Sequence, residues 1–169
     1  TAYLAVGSKV AAFALILRLF TGALLPVAEG WQPIVVIMAA LTMTLGNVVA
    51  MVQSNIKRLL AYSSIGHVGY LLVGVAALVA TRSDADGTFA QLASNGVMFH
   101  LVAYSITTMA AFICVSAVYN ATGKETIEDF AGLAQRSPLV ALVMTAAIFS
   151  LAGLPIFAGF TSKFYLFNA

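Results

Sequence analysis

Charge is nearly missing from this chain. Eight Lys or Arg and six Asp or Glu make up 8% of its 169 residues, where an ordinary soluble domain carries about a quarter. With 62% apolar residues, this excludes a soluble globular domain and marks a membrane protein. The net charge of +2 is small, and the aromatic residues lie inside apolar runs rather than among basic ones, which excludes a nucleic-acid surface. The single cysteine, Cys114, has no partner for an internal disulfide and cannot alone build a zinc or iron–sulfur cage; within its apolar run it reads as packing. There is no GxGxxG and no Walker motif, so no phosphate-binding loop and no signature for a nucleotide, flavin or haem. No His, Cys and carboxylate set has metal-ligand spacing. No acidic residue lies within an apolar run, so paired-carboxylate chemistry is absent, as are a GxxxG pair and any internal repeat. The chain opens at Thr1 with no methionine and no basic stretch ahead of its first apolar run. That is expected of an excerpt from a longer protein rather than of a secretory leader.

What is present is apolar length. A membrane-spanning helix needs about 20 mostly apolar residues, and five segments qualify: 3–20, 31–52, 55–80, 89–119 and 138–169. The expected fold is all-α, a polytopic transmembrane helix bundle in a single membrane domain. Trp31 stands where an interfacial anchor would. The fourth segment is long enough to be tilted or to extend beyond the bilayer core. The connection 120–137 carries Lys124, Glu125, Glu128, Asp129 and Arg136 and has helical spacing at Ile127, Phe130 and Leu133, as a surface helix would. The fifth segment is too long for one straight span. Gly153, Pro155 and Gly159 sit in its middle, where proline removes a helix hydrogen bond and glycine loosens the backbone. A discontinuous helix is expected there. Alternate connections carry Arg18 and Arg82 on one side and Lys57, Arg58, Lys124 and Arg136 on the other, which orients the second side toward the cytoplasm.

Against this background four titratable groups stand out. Lys9 lies within Tyr3-Leu-Ala-Val-Gly-Ser-Lys-Val-Ala-Ala-Phe13, and Lys163 within Gly159-Phe-Thr-Ser-Lys-Phe-Tyr165. A charge at bilayer depth costs roughly 2.5–3.5 kcal/mol on insertion scales and marks ion or proton paths. His67 and His100 lie in two further apolar segments, and histidine is the side chain that titrates closest to neutral pH. Taken singly, each histidine reads equally as a neutral, hydrogen-bonded packing residue, and Lys9 as a side chain snorkelling to the interface. Together the Lys–His–His–Lys set points to proton transfer, with broken helices beside ionisable groups recurring at transporter sites. Lys57 and Arg58 read as juxtamembrane positives that set topology. Asn47, Ser63, Ser64, Thr107 and Thr108 could hold water between helices or simply bond across them.

The run Gly46-Asn-Val-Val-Ala-Met-Val-Gln-Ser-Asn-Ile-Lys-Arg-Leu-Leu-Ala-Tyr-Ser-Ser-Ile-Gly-His-Val-Gly-Tyr70 resembles the antiporter-like, proton-pumping subunits of respiratory complex I. Gly7-Ser-Lys-Val-Ala-Ala-Phe13, Asp129-Phe-Ala-Gly-Leu133 and Ser150-Leu-Ala-Gly-Leu-Pro-Ile-Phe-Ala-Gly-Phe-Thr-Ser-Lys-Phe-Tyr165 are similar to elements of the N-subunit family among them. The resemblance spans essentially the whole chain. It implies a partial antiporter-like inverted-repeat fold corresponding to helices eight to twelve of about fourteen. It implies that Lys9 is the central lysine of a proton path and Lys163 its terminal one, with His100 on the helix between them and His67 on its neighbour. It implies further that electrons pass in partner subunits, which would hold NAD, FMN, iron–sulfur clusters and quinone, while this chain holds no cofactor. The expected partners are the other membrane-arm subunits, the lipid bilayer, and protons with internal water. The expected location is a bacterial inner membrane, or otherwise an energy-transducing organelle membrane. The first-repeat broken helix and its lysine are absent from the stretch, so it would not be expected to fold stably or pump alone. A Mrp-type cation/proton antiporter would use the same lysines without a redox partner. A structural assembly module would hold them charged and salt-bridged.

Overall fold

In lipid every backbone N–H and C=O must be paired within the protein, so long apolar runs become helices. The computed structural model describes residues 2–80 and 88–168. The helices are α1 Ala2–Thr21, α2 Ala28–Met51, α3 Ile56–Ala80, α4 Thr88–Thr122, α5 Leu133–Arg136, α6 Pro138–Ala152 and α7 Ala158–Phe167, with 3₁₀ turns at Leu25–Val27 and Ile127–Phe130. Among the described residues no strand is formed, and one antiparallel bridge joins Asn55 to Thr126. The stretches Leu25–Met51, Ile56–Leu78 and Gln91–Thr122 are long and apolar enough to cross a membrane, and α6 is a shorter apolar helix. The polar stretch 81–87 with Arg82, expected as a loop, lies outside the described residues.

The boundaries follow local chemistry. The second helix begins at Ala28, ahead of Trp31, because Pro26 starts a 3₁₀ turn that runs straight into it. Trp31 is fastened inward: its indole N–H donates to the Leu24 carbonyl at 2.8 Å and its ring meets Phe20 edge-on at 4.3 Å. The 120–137 connection holds a 3₁₀ turn and the single-turn α5 rather than one helix. Thr126 and Asp129 close on each other at its start, and Gly132 interrupts it at φ 73°.

α3 and α4 form the middle of the bundle. α2 lies along α3 so closely that a Cβ on Gly46 would come within 2.7 Å of the Gly66 amide nitrogen. In lipid, where apolar side chains gain little by leaving the solvent, such close backbone approach is what holds helices together. Two apolar clusters result. One joins α1, α3, α4 and α7 through Phe13, Leu71, Val75, Val97, Leu101 and Leu166. The other joins α3, α4 and α6 through Leu60, Ala111, Phe112, Val115, Met144 and the buried Cys114. Along α3 and α4 a polar layer lies between them, made of Ser64, His67, His100, Tyr104 and Thr108, all buried.

Candidate functional site

The break between α6 and α7 sets the site's geometry. The last four carbonyls of a helix have no intrahelical partner, and at the end of α6 these belong to Phe149, Ser150, Leu151 and Ala152. Gly153 turns left-handed at φ 88°. Its N–H bonds the Ser150 carbonyl and that of Leu154 bonds the Phe149 carbonyl, each at 3.1 Å, a Schellman stop. Lys163, reaching back from α7, takes the other two: its Nζ donates to the Leu151 carbonyl at 2.8 Å and the Ala152 carbonyl at 3.2 Å. A cation at a helix C-terminus also meets the negative end of the helix dipole. α7 then starts against Ser150, whose Oγ accepts the Gly159 N–H at 3.3 Å. Glycine is required at 159 because a Cβ there would overlap the Ser150 carbonyl. Pro155 lies exposed in the connecting turn, where its missing N–H deprives no helix.

The remaining site residues meet in the polar layer. Lys9 Nζ donates to Ser64 Oγ at 2.6 Å, the Ser64 carbonyl at 3.3 Å and the Tyr104 hydroxyl at 3.3 Å. Three acceptors match the three protons of an ammonium. The Tyr104 ring lies 5.1 Å from the His67 ring. His67 Nδ1 and His100 Nε2 are 3.3 Å apart, and His100 Nδ1 is 2.9 Å from Ser162 Oγ. Ser162, fully buried, donates to the Gly159 carbonyl at 3.0 Å. Lys163 is half-buried, with Nζ 5.0 Å from the centre of the Tyr70 ring. A cleft of about 270 Å³ runs between α2, α3, α6 and α7, and its lining includes Asn47, Ser63, His67, Tyr70 and Lys163. It has the size and polarity to hold several waters.

Thus Lys9, His67 and His100, from three helices, come into one layer, and Lys163 from a fourth shares the cleft that His67 lines, with Gly153, Pro155 and Gly159 shaping its edge. Ser64, Tyr104, Ser162 and Tyr70 join them, and of these only Ser64 stands out in the sequence. Helical spacing carries their signal: Ser64 lies three residues before His67, Tyr104 four after His100, and Ser162 three after Gly159. Lys57 and Arg58 stand apart from the layer. Lys57 pairs with Glu125 at 2.5 Å and lies 3.9 Å over the Tyr119 ring. The Lys57 ammonium first, and then the Asn55 amide, hold the Glu125 carboxyl below its usual range.

Over residues 1–169 the sequence matches the family described as NADH:quinone oxidoreductase/Mrp antiporter, transmembrane. The chain belongs to this family. Relatives named NADH-quinone oxidoreductase subunit N include those of Desulforamulus reducens, 47% identical over 99% of this chain and 33% of the relative, and of Moorella thermoacetica, 47% identical with the same two coverages. The chain therefore spans about a third of the length of the curated relatives it matches. A chain of the archaeal membrane-bound sulfane sulfur reductase, a respiratory membrane complex, superimposes with a TM-score of 0.71 at 28% identity, over 83% of this chain and 26% of that one. As a member of this antiporter family with spanning apolar helices and bacterial relatives, the chain is an integral membrane protein of the bacterial inner membrane.

Proposed function

We propose that this chain is part of an antiporter-like subunit of NADH:quinone oxidoreductase and carries one stretch of its proton path, from Lys9 past the histidine pair to Lys163. Electron transfer, with NAD, FMN, iron–sulfur clusters and quinone, belongs to partner subunits, whose redox state would shift charge along the membrane arm and so drive the lysines. The carrying observation is that Lys9 and His67 meet around Tyr104 in the buried layer, and that His67 shares a polar cleft with Lys163. The names of the relatives favour this reading over a Mrp-type antiporter. A static, salt-bridged role for the lysines finds no carboxylate: among the described residues the ion pairs are Lys57–Glu125 and Lys124–Asp129, both outside the layer.

The donor sets suggest how the two lysines differ. Lys9 spends all three ammonium protons on the protein and would lose a bond on becoming neutral. Lys163 uses two on the α6 carbonyls and lines the cleft. A neutral amine still has two N–H groups, so Lys163 could surrender its third proton to cleft water while both carbonyls stay bonded. This suits the last residue of a path, and it means that Lys163→Ala would remove a helix cap together with a proton carrier. Lys163→Arg separates the two functions, because guanidinium keeps its donors and does not deprotonate. In the complete complex, Lys163→Arg is expected to assemble and oxidise NADH while pumping few or no protons past this subunit, measured as protons moved per NADH in membrane vesicles. Wild-type stoichiometry from an assembled Lys163→Arg complex would sink the assignment.

A further inference from the structure

The hydrogen bonds around the two histidines have a direction, and it separates their roles. A carbonyl cannot donate, so in the Ser162–Gly159 contact at 3.0 Å the Ser162 hydroxyl donates its proton toward the Gly159 oxygen. Having one proton, that hydroxyl can only accept at its 2.9 Å contact with His100, so His100 carries hydrogen on Nδ1. Neutral His100 then has a bare Nε2, which accepts at 3.3 Å from His67 Nδ1–H. Neutral His67 is left with Nε2 as its one basic atom. A proton entering His100 instead would be stranded. It would lie in a site 2% exposed and without a carboxylate contact among the described residues, and the next hop would end on the Gly159 carbonyl, which cannot pass a proton on. His67 lines the cleft together with Lys163, and His100 is not among the residues lining it.

Resting on the proton-path reading above, we propose that His67 carries the proton and that His100, held by Ser162 and the Gly159 carbonyl, is a positioning residue. An N–H bond of the Lys9 ammonium breaks, leaving a neutral amine, and an N–H bond forms at His67 Nε2. The same bond breaks as the proton passes through cleft water to neutral Lys163, which gains it. The pair returns to two neutral rings, with the Nδ1–H tautomer of His67 restored by the fixed acceptor on His100. No proton moves along the His67–His100–Ser162 line, and its three hydrogen bonds keep their direction through the cycle.

Glutamine separates the two histidine roles, because an amide donates and accepts hydrogen bonds but does not titrate. In the intact complex, His100→Gln is expected to keep at least about half of the wild-type protons per NADH, His100→Leu to lose most of them, and His67→Gln to fall roughly tenfold while NADH oxidation and complex abundance hold. Ser162→Ala is expected to lower pumping and Ser162→Thr to restore it, a rescue that packing alone would not give. If His100→Gln is as defective as His67→Gln, or if His67→Gln pumps normally, the division of roles is overturned. The Lys163→Arg complex, measured in parallel, separates the two levels. Normal pumping by that variant overturns the path itself, whereas its failure beside a fully active His67→Gln overturns only the role of His67.

Discussion

Lys57 and Lys163 show how one residue type serves two ends of the same molecule. At the α3 start, Lys57 finds a carboxylate in Glu125, and Asn55 donates to the other oxygen of that group at 3.0 Å. These contacts are only partly buried, so their energy is small and screened by salt. Their sign is still readable. Glu125 titrates below its ordinary value because of Lys57 and then Asn55. Its contribution to holding the connection is therefore full above the ordinary glutamate pKa and is lost as pH falls through its lower folded value. The backbone bonds from Ile56 N–H to the Glu125 carbonyl and from Ile127 N–H to the Ser54 carbonyl report on that connection. Hydrogen-exchange protection of these two amides is expected to drop across that acid window, and Glu125→Gln is expected to abolish the dependence. Equal pH dependence in both proteins would count against it. Lys163, by contrast, has carbonyls for partners, and there the cation serves a helix end rather than an ion pair.

At the level of the element, the break in the fifth apolar segment is the feature with most consequence. Had residues 138–167 continued as one helix, the terminal carbonyls of α6 would have been used up in the ladder, and Lys163 would have lacked the acceptors it uses here. Gly153 makes the stop and Gly159 permits the restart within contact of Ser150. Gly159→Ala is expected to cost about 1–3 kcal/mol, because the backbone of α6 must give way. Its effect should reach Ser162 and hence His100, since the Gly159 carbonyl is the last acceptor in that line. Thermal unfolding of the purified complex and protons per NADH would both fall. A complex with unchanged melting and pumping would show that α7 can be reseated without harm.

On the scale of the whole molecule, α2 presents Ile34, Ile37, Leu41, Leu45 and Val48 outward, each more than half exposed. Their spacing of three and four residues makes one continuous apolar face, as a surface in contact with lipid or another membrane subunit requires. The bridge between Asn55 and Thr126 puts the α2–α3 turn and the α4–α6 connection at the same end of the bundle. These are the connections with Lys57, Arg58, Lys124 and Arg136, the end that the distribution of basic residues assigns to the cytoplasm. Ser54→Cys and Gln135→Cys are accordingly expected to react with a membrane-impermeant maleimide in inverted vesicles, and Ala23→Cys only in right-side-out ones. Buried Cys114 should add little background. Labelling of Ala23→Cys from the same side as Ser54→Cys would refute the orientation.

The sequence by itself determined that the chain is helical and lives in a membrane, because runs of apolar residues this long leave the backbone no other way to pair its polar groups. It also marked the discontinuity at Gly153 and Pro155 and singled out Lys9, His67, His100 and Lys163, since a titratable group in such a run is too costly to be incidental. It could not say what those groups touch, because partners such as Ser64 and Tyr104 for Lys9, or Ser162 for His100, lie 55 to 95 residues away along the chain. Serine and tyrosine are also ordinary in composition and carry no mark of their own until a fold turns them inward. Only the tertiary structure decided that Lys163 caps α6, that Lys57 is paired, and that His67, His100 and Ser162 stand in one line. Each depends on where a single proton or a free carbonyl is directed in space, which helical periodicity along one segment does not encode.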